Sequence, residues 1–200
     1  PPPPSPGTWH ENAAHLRQVR ATFGCGAPAG NVGSVTDPHL APELRVARWV
    51  QGGPLTLASL RGRVVLLEAF QMLCPGCVTH ALPQAKRVQQ AFRSEDVTVL
   101  GLHTVFEHHD VTGPDALAVF LSEFRYTFPV AVAAHVDGDP LPPTMRDYDL
   151  QGTPTTLLID RAGRVRHRFF GAIDDLRLGA HLGRLVAEPA GPAGPSSSSA

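Results

Sequence analysis

Apolar and polar positions alternate between two periods along most of the chain. Val64 to Phe70 (VVLLEAF) is a nearly continuous apolar run, the pattern of a central strand covered on both faces. Val97 to His103 (VTVLGLH) is a second such run, and Phe128 to Val132 predicts a shorter strand. Thr155 to Asp160 predicts another, turned by Arg161-Ala162-Gly163 onto Val165 to Phe170 as a hairpin. Helical periodicity separates these runs. Pro75 to Phe92 places Leu82, Ala85, Val88 and Phe92 on one stripe, and proline is tolerated in a first helical turn. Pro114 to Tyr126 does the same with Leu117, Phe120, Leu121 and Phe124, and Leu176 to Val186 is a last helix. Upstream, Glu43 to Val50 and Pro54 to Leu57 predict a β-hairpin around Gly52 and Gly53. Trp9 to Phe23 predicts a short helix, and Gly24 to Thr36 reads as irregular. The first β-α-β unit implies a parallel pair with a right-handed crossover, and the closing hairpin an antiparallel edge. The fold class is α/β: a mixed central sheet with helices on both faces and an N-terminal β-hairpin.

Composition adjusts this picture at the ends. The chain has 200 residues, 42% hydrophobic and 18% charged, enough for one core. Its 20 prolines suggest disorder until they are located. Five lie in Pro1 to Gly7 and three in the tail from Pro189 to Ala200. Residues 1–36 therefore read as a Pro/Gly-rich extension, 37–188 as the folded domain and 189–200 as a disordered tail. A net charge of −1 gives no electrostatic case for nucleic acid. No apolar run reaches the ~20 residues of a membrane span. No signal peptide is visible in the residues shown, so the expected compartment is cytoplasmic, or extracytoplasmic if a leader was removed before Pro1.

Three cysteines cannot staple a disulfide scaffold. Two of them form Cys74-Pro75-Gly76-Cys77, directly after a buried strand and at the opening of a helix. There, unsatisfied N–H groups and the helix dipole stabilise a thiolate at Cys74, and the thiolate is the form that attacks a disulfide. Cys77 lies about one turn on and can close a disulfide with Cys74. Cys74 is thus the expected nucleophile and Cys77 the resolving thiol. A zinc half-site or two inert core cysteines are the alternatives, but no second C-x-x-C is present to complete a zinc set.

With these residues in place, the chain resembles the thioredoxin superfamily, and within it the TlpA-like and redoxin-type thiol–disulfide oxidoreductases. The resemblance rests on Ala41-Pro42-Glu43-Leu44, on Leu57 to Val65 (LASLRGRVV), on CPGC, and on Gly152 to Asp160 (GTPTTLLID), and it covers about Ala41 to Glu188. It implies a thioredoxin-like fold and a cis-proline at Thr153-Pro154 beside the active cysteines, where the preceding backbone pairs with a substrate. Independently, a proline opening an apolar strand points to an edge, a bulge or a cis turn. The resemblance also draws attention to Glu68, six residues before Cys74, where thioredoxins carry a buried Asp. A carboxyl in a central strand has a raised pKa and exchanges protons near neutrality, so Glu68 is expected to assist deprotonation of Cys77. The competing reading is a Glu paired with an arginine or reaching solvent.

The chain departs from the family pattern at several positions. Leu73 stands where Trp is common, His80 where many TlpA-like members carry Glu, and Pro83 lies six residues after Cys77 rather than five. A protonated His80 could stabilise a thiolate. His103, His108 and His109 are expected in a loop on the same sheet edge as the cysteines, shaping substrate access or binding a metal. The expected substrate-binding residues are therefore Pro75, Gly76, His80, His103, Thr153 and Pro154. Cys25 is the unpaired third cysteine, and Asp137, Asp139, Asp147 and Asp149 read as a polar loop before a short helix. The expected activity is exchange with a protein or small-molecule disulfide or dithiol. No cofactor or metal is expected beyond the Cys74–Cys77 disulfide, the electron donor would be an unidentified thiol, and the chain is expected to be a monomer. The alternatives are a peroxiredoxin-like peroxidase, whose Pro-x-x-x-Thr/Ser-x-x-Cys pattern is absent, a copper-binding module using a loop histidine, and a redox sensor.

Overall fold

A computed structural model describes residues 39–139 and 141–189, and the backbone of 32–34. Among the described residues, seven strands form one sheet: β1 (Val32–Ser34), β2 (Val46–Gln51), β3 (Val64–Phe70), β4 (Val97–His103), β5 (Val130–Ala133), β6 (Thr155–Ile159) and β7 (Val165–Phe170). Their spatial order is β1-β7-β6-β3-β4-β5-β2. β3 pairs in parallel with β4, and β4 with β5, while β6 and β7 continue antiparallel from the other side of β3. The helices are α1 (Leu82–Ala91), α2 (Pro114–Glu123), α3 (Pro143–Asp147) and α4 (Asp175–Ala187). The thioredoxin-like mixed sheet is therefore present.

The strand parity of β3 explains the layers. Val64, Leu66 and Phe70 face a core built with Leu82 and Val88 of α1, Leu117 of α2 and Leu182 of α4. Val65 and Leu67 face the other side, toward Leu57, Leu60 and Tyr148, which lie in and around a short 3-10 turn and α3. Every residue of β3 is buried, Glu68 included, as its nearly continuous apolar run predicts. The motif helix and the C-terminal helix are tied together: Gln84 donates to Ile173 O (2.8 Å) and Asp175 Oδ1 (2.7 Å), and Arg87 pairs with Asp175 at 3.0 Å.

The expected N-terminal β-hairpin does not form. β2 pairs instead with β5, by Val46↔Ala133 and Trp49↔Ala131, and closes the far edge of the sheet. Residues 54–57 leave the sheet, because Pro54 has no N–H for a ladder and Leu57 is drawn into the core under the 3-10 turn at Ala58–Leu60. The Glu43 carboxylate caps that turn, accepting from Leu57 N (2.8 Å) and Ala58 N (2.7 Å). In the stretch read as irregular, Val32–Ser34 pairs with β7. The predicted helix at 9–23, Cys25 and the terminal Pro-rich segments lie outside the described residues.

The β6–β7 turn follows the sequence reading. Gly163 adopts φ +74°, and a Cβ there would strike the Arg61 guanidinium, which donates to Ala162 O. Three of the four Asp residues of the polar loop are taken up by arginines: Asp139 by Arg146, Asp147 by Arg45 at 2.8 Å and Asp149 by Arg168 at 3.0 Å.

Candidate active site

β3 ends at Phe70, and a four-residue turn carries the chain into the motif. Cys74 N donates to Gln71 O (3.2 Å), and Val78 N donates to Cys74 O (3.1 Å), so Cys74 is the residue from which the helix starts. Cys74 is 7% exposed and Cys77 fully buried, and both are thiols in this structure. The Cys74 sulfur is thus the nearer of the two to the surface.

After this first α-type bond the helix runs through a π-helical turn at Cys77–Ala81, in which Leu82 N donates to Cys77 O, before α1 proper begins. Pro83 supplies the reason. It has no N–H for the Thr79 carbonyl, and its ring would crowd that carbonyl in a tight α turn. A π turn holds one extra residue, which is the one by which Pro83 exceeds the family spacing. The Thr79 hydroxyl donates to Pro75 O at 2.8 Å. His80 sits on this turn exposed to solvent, its Nδ1 3.4 Å from Thr79 Oγ1.

Opposite the cysteines, the Thr153-Pro154 peptide is cis. The Cys74 sulfhydryl donates to Thr153 O at 3.5 Å. Gly76 packs against the proline ring: a Cβ at that position would lie 3.2 Å from Pro154 Cδ. Pro75, Gly76, Thr153 and Pro154 thus lie beside Cys74. Leu73, beside them, is 53% exposed.

Glu68 lies behind the pair, between Gly101 of β4 and Thr156 of β6. It is buried, pairs with no arginine among the described residues, and does not reach solvent. Its Oε2 accepts from the Thr156 hydroxyl at 2.7 Å, and Oε1 has no protein partner. Burial pushes its pKa from 4.5 up to about 8; the negative charge of Cys74 adds to the rise and the Thr156 hydrogen bond opposes it. Burial also drives the Cys77 thiol far above its ordinary range, aided by the hydrogen bond and charge of Cys74 and, last, by the charge of Glu68. A backbone hydrogen bond from Gln71 works in the opposite direction.

His103 is not a loop residue. It ends β4, fully buried, with its ring 5.3 Å from that of Phe70. Its Nε2 accepts from Met72 N at 3.2 Å, so it does not face a substrate from this position. The sequence carried a signal: His103 closes the apolar run Val97–His103, a strand buried on both faces. His108 and His109 do lie in the exposed loop, with the His109 ring against His135 at 5.4 Å. Among the described residues, no group of three or more His, Cys, Asp or Glu could hold a metal ion.

Gln71 has a place in the site that sequence reasoning missed. Its side chain is buried, accepts from Phe106 N (3.3 Å) and donates to Glu107 Oε1 (3.4 Å). It thereby ties the loop after β4 to the turn that presents Cys74. The only hint in the sequence is a polar residue between Phe70 and Met72 at the end of an apolar strand.

Comparisons with known proteins agree with this geometry. A thiol-disulfide isomerase from Corynebacterium glutamicum is 50% identical and superposes with a TM-score of 0.72, covering 74% of this chain and 98% of that one. Protein DipZ of Mycobacterium bovis is 30% identical over 138 residues, which are 67% of this chain and 19% of DipZ. The thiol:disulfide interchange protein DsbE of Allochromatium vinosum is 32% identical over 121 residues, 60% of this chain and 58% of that protein. The chain thus spans about a fifth of the one curated relative and little over half of the other. Among the described residues, no helix is long and apolar enough to cross a membrane. The redoxin family model matches residues 37–177, which contain the cysteine pair, Glu68 and the cis-proline, and the chain belongs to the redoxin family.

Proposed function

We propose that the protein is a thiol–disulfide oxidoreductase working through Cys74 and Cys77. The observation that carries this reading is the placement of Cys74 Sγ, the nearer sulfur to the surface, 3.5 Å from Thr153 O beside Pro154, with Cys77 buried behind it. The Cys74 thiolate attacks one sulfur of a partner disulfide. A Cys74–partner disulfide forms, the partner's own S–S bond breaks, and the partner's other sulfur leaves as a thiolate that takes up a proton. Cys77 then loses its proton and attacks Cys74 Sγ. The Cys74–Cys77 disulfide forms and the partner leaves as a dithiol, having gained two electrons. An external thiol returns the pair to the reduced form, and the same steps reversed oxidise a dithiol.

Glu68 receives the Cys77 proton in this reading. Once Cys74 is held in the mixed disulfide its negative charge is gone, and with it one influence that raises the Glu68 pKa. The carboxylate form becomes easier to reach when Cys77 must ionise. Gly76, Pro154 and the Thr153 carbonyl bound the surface where the partner chain lies. The electron donor is a thiol, and the cycle needs one copy of the chain. In a reducing cytoplasm the pair acts as a reductant, and in an extracytoplasmic compartment its direction follows the donor it meets.

The test is reduction of a protein disulfide such as insulin with dithiothreitol as donor. Wild type accelerates it, and Cys74→Ala returns it to the uncatalysed rate. Equal acceleration by Cys74→Ala would overturn the reading.

A further inference from the structure

The Met72 peptide sits in the middle of the turn that joins β3 to Cys74. Its N–H points inward, away from water, and a buried amide without an acceptor is costly. The acceptor is Nε2 of His103, supplied by the neighbouring strand β4 at 3.2 Å. His103 is otherwise a poor choice for this place. It is fully buried against Phe70, and its Nδ1 has no protein partner. Leucine or phenylalanine would fill the space without leaving a ring nitrogen there. A histidine kept in an apolar layer with one nitrogen unpartnered calls for a reason, and the Met72 amide is the one the contacts show.

The turn it holds controls both sulfurs. On the N-terminal side of Met72, the Gln71 backbone hydrogen-bonds Cys77 and holds its thiol down against burial. On the C-terminal side, Cys74 N closes the turn on Gln71 O at 3.2 Å, which fixes Cys74 Sγ against Thr153 O. The Gln71 side chain is itself anchored to the loop after β4, at Phe106 N and Glu107. Two adjacent residues of the turn are thus fastened to β4 and its loop, one through its amide and one through its side chain.

We propose that His103 is a positioning residue for the resolving step: by accepting from Met72 N it holds the 71–74 turn in the geometry that lets Cys77 reach Cys74 Sγ. This rests on the thiol-exchange reading above and adds a residue to it. The first, bimolecular step needs only an accessible Cys74 thiolate. The second is intramolecular, and its rate depends on how the two sulfurs are held. Loss of the acceptor therefore slows resolution selectively.

The experiment uses the full chain with Cys25→Ser and follows thionitrobenzoate release from dithionitrobenzoate by stopped flow. One equivalent leaves when Cys74 attacks, and a second leaves when Cys77 displaces it from the mixed disulfide. Three substitutions separate the acceptor from the volume. His103→Gln puts an amide oxygen where Nε2 was, His103→Asn carries the same amide too short to reach, and His103→Leu removes polarity. Release of the second equivalent should slow about tenfold or more in Asn and Leu, and Gln should recover to within about threefold of the parent. The first equivalent should change less than about threefold in all of them. Should Leu fail to fold, the Gln and Asn pair decides the matter. Equal second-phase rates in Gln and Asn, or in all variants and the parent, would overturn the role of His103. A parent that releases only one equivalent would instead overturn the exchange mechanism.

Discussion

Replacing Glu68 by Gln tests whether a buried acid stands behind the cysteines. The carboxyl is buried between β4 and β6, and burial lifts its pKa from 4.5 to about 8. The unfolded chain therefore releases this proton near 4.5 while the folded protein holds it until about 8. A raised folded value means stability is fully present below 4.5 and is lost as pH climbs through about 8. The span corresponds to about 5 kcal/mol, a large part of the stability of an ordinary domain. Glu68→Gln cannot titrate. Its amide can still accept from Thr156, and its NH2 replaces an oxygen that has no protein partner, so any packing penalty is the same at every pH. Urea unfolding of both proteins under reductant, from mildly acidic to mildly alkaline pH, isolates the difference, since all other titrating groups are shared. The variant should gain on wild type steadily as pH rises through this window. With an m-value of about 2 kcal/mol per molar, the relative midpoint moves by about 2.5 M urea. A difference that stays flat, or that grows toward acid, would refute the picture of a buried acid with a raised pKa.

Other outcomes follow from the same geometry. Iodoacetamide should modify Cys74 in the folded protein and leave Cys77, which is fully buried, until the chain unfolds; mass spectrometry of the alkylated peptides checks the order. Gly76→Ala brings a Cβ to 3.2 Å from Pro154 Cδ, so kcat/KM for a protein disulfide should fall about fivefold, worth ~1 kcal/mol, with little change in urea midpoint. Burial depresses His103 from 6.5 to about 4, so its stability contribution is complete above 6.5 and lost as pH falls toward 4. Wild type should lose about 3 kcal/mol across that interval relative to His103→Gln, as read by urea titrations.

Elements whose pattern was set locally were legible in the sequence. The apolar run of β3, the stripe of the motif helix and the Arg161-Ala162-Gly163 turn each appear where their residues dictate. Cys74, Cys77 and Pro154 were legible for the same reason, because a strand, a helix opening and an X-Pro peptide bring them to one sheet edge. What escaped depends on partners distant in sequence. β2 has the alternation of a strand, but nothing in Val46–Gln51 says that Ala131 and Ala133, rather than residues 54–57, lie opposite. The π turn arises from a clash between Pro83 and Thr79 that spacing hinted at without giving its form. The polarity of His103 suggests a loop, although it closes an apolar run whose residues are buried on both faces of β4. Gln71 could be found only once Phe106 and Glu107 were seen to fold back onto it.

The central claim is that Cys74 forms a mixed disulfide that Cys77 alone resolves, and trapping tests it most directly. Cys77→Ser, expressed as the full chain and recovered under acid quench, should carry partners in disulfide linkage at Cys74. These should be released by dithiothreitol and absent when Cys74 is also replaced by Ser. No adduct at Cys74, together with a Cys74 thiol inert to iodoacetamide at neutral pH, would contradict the account.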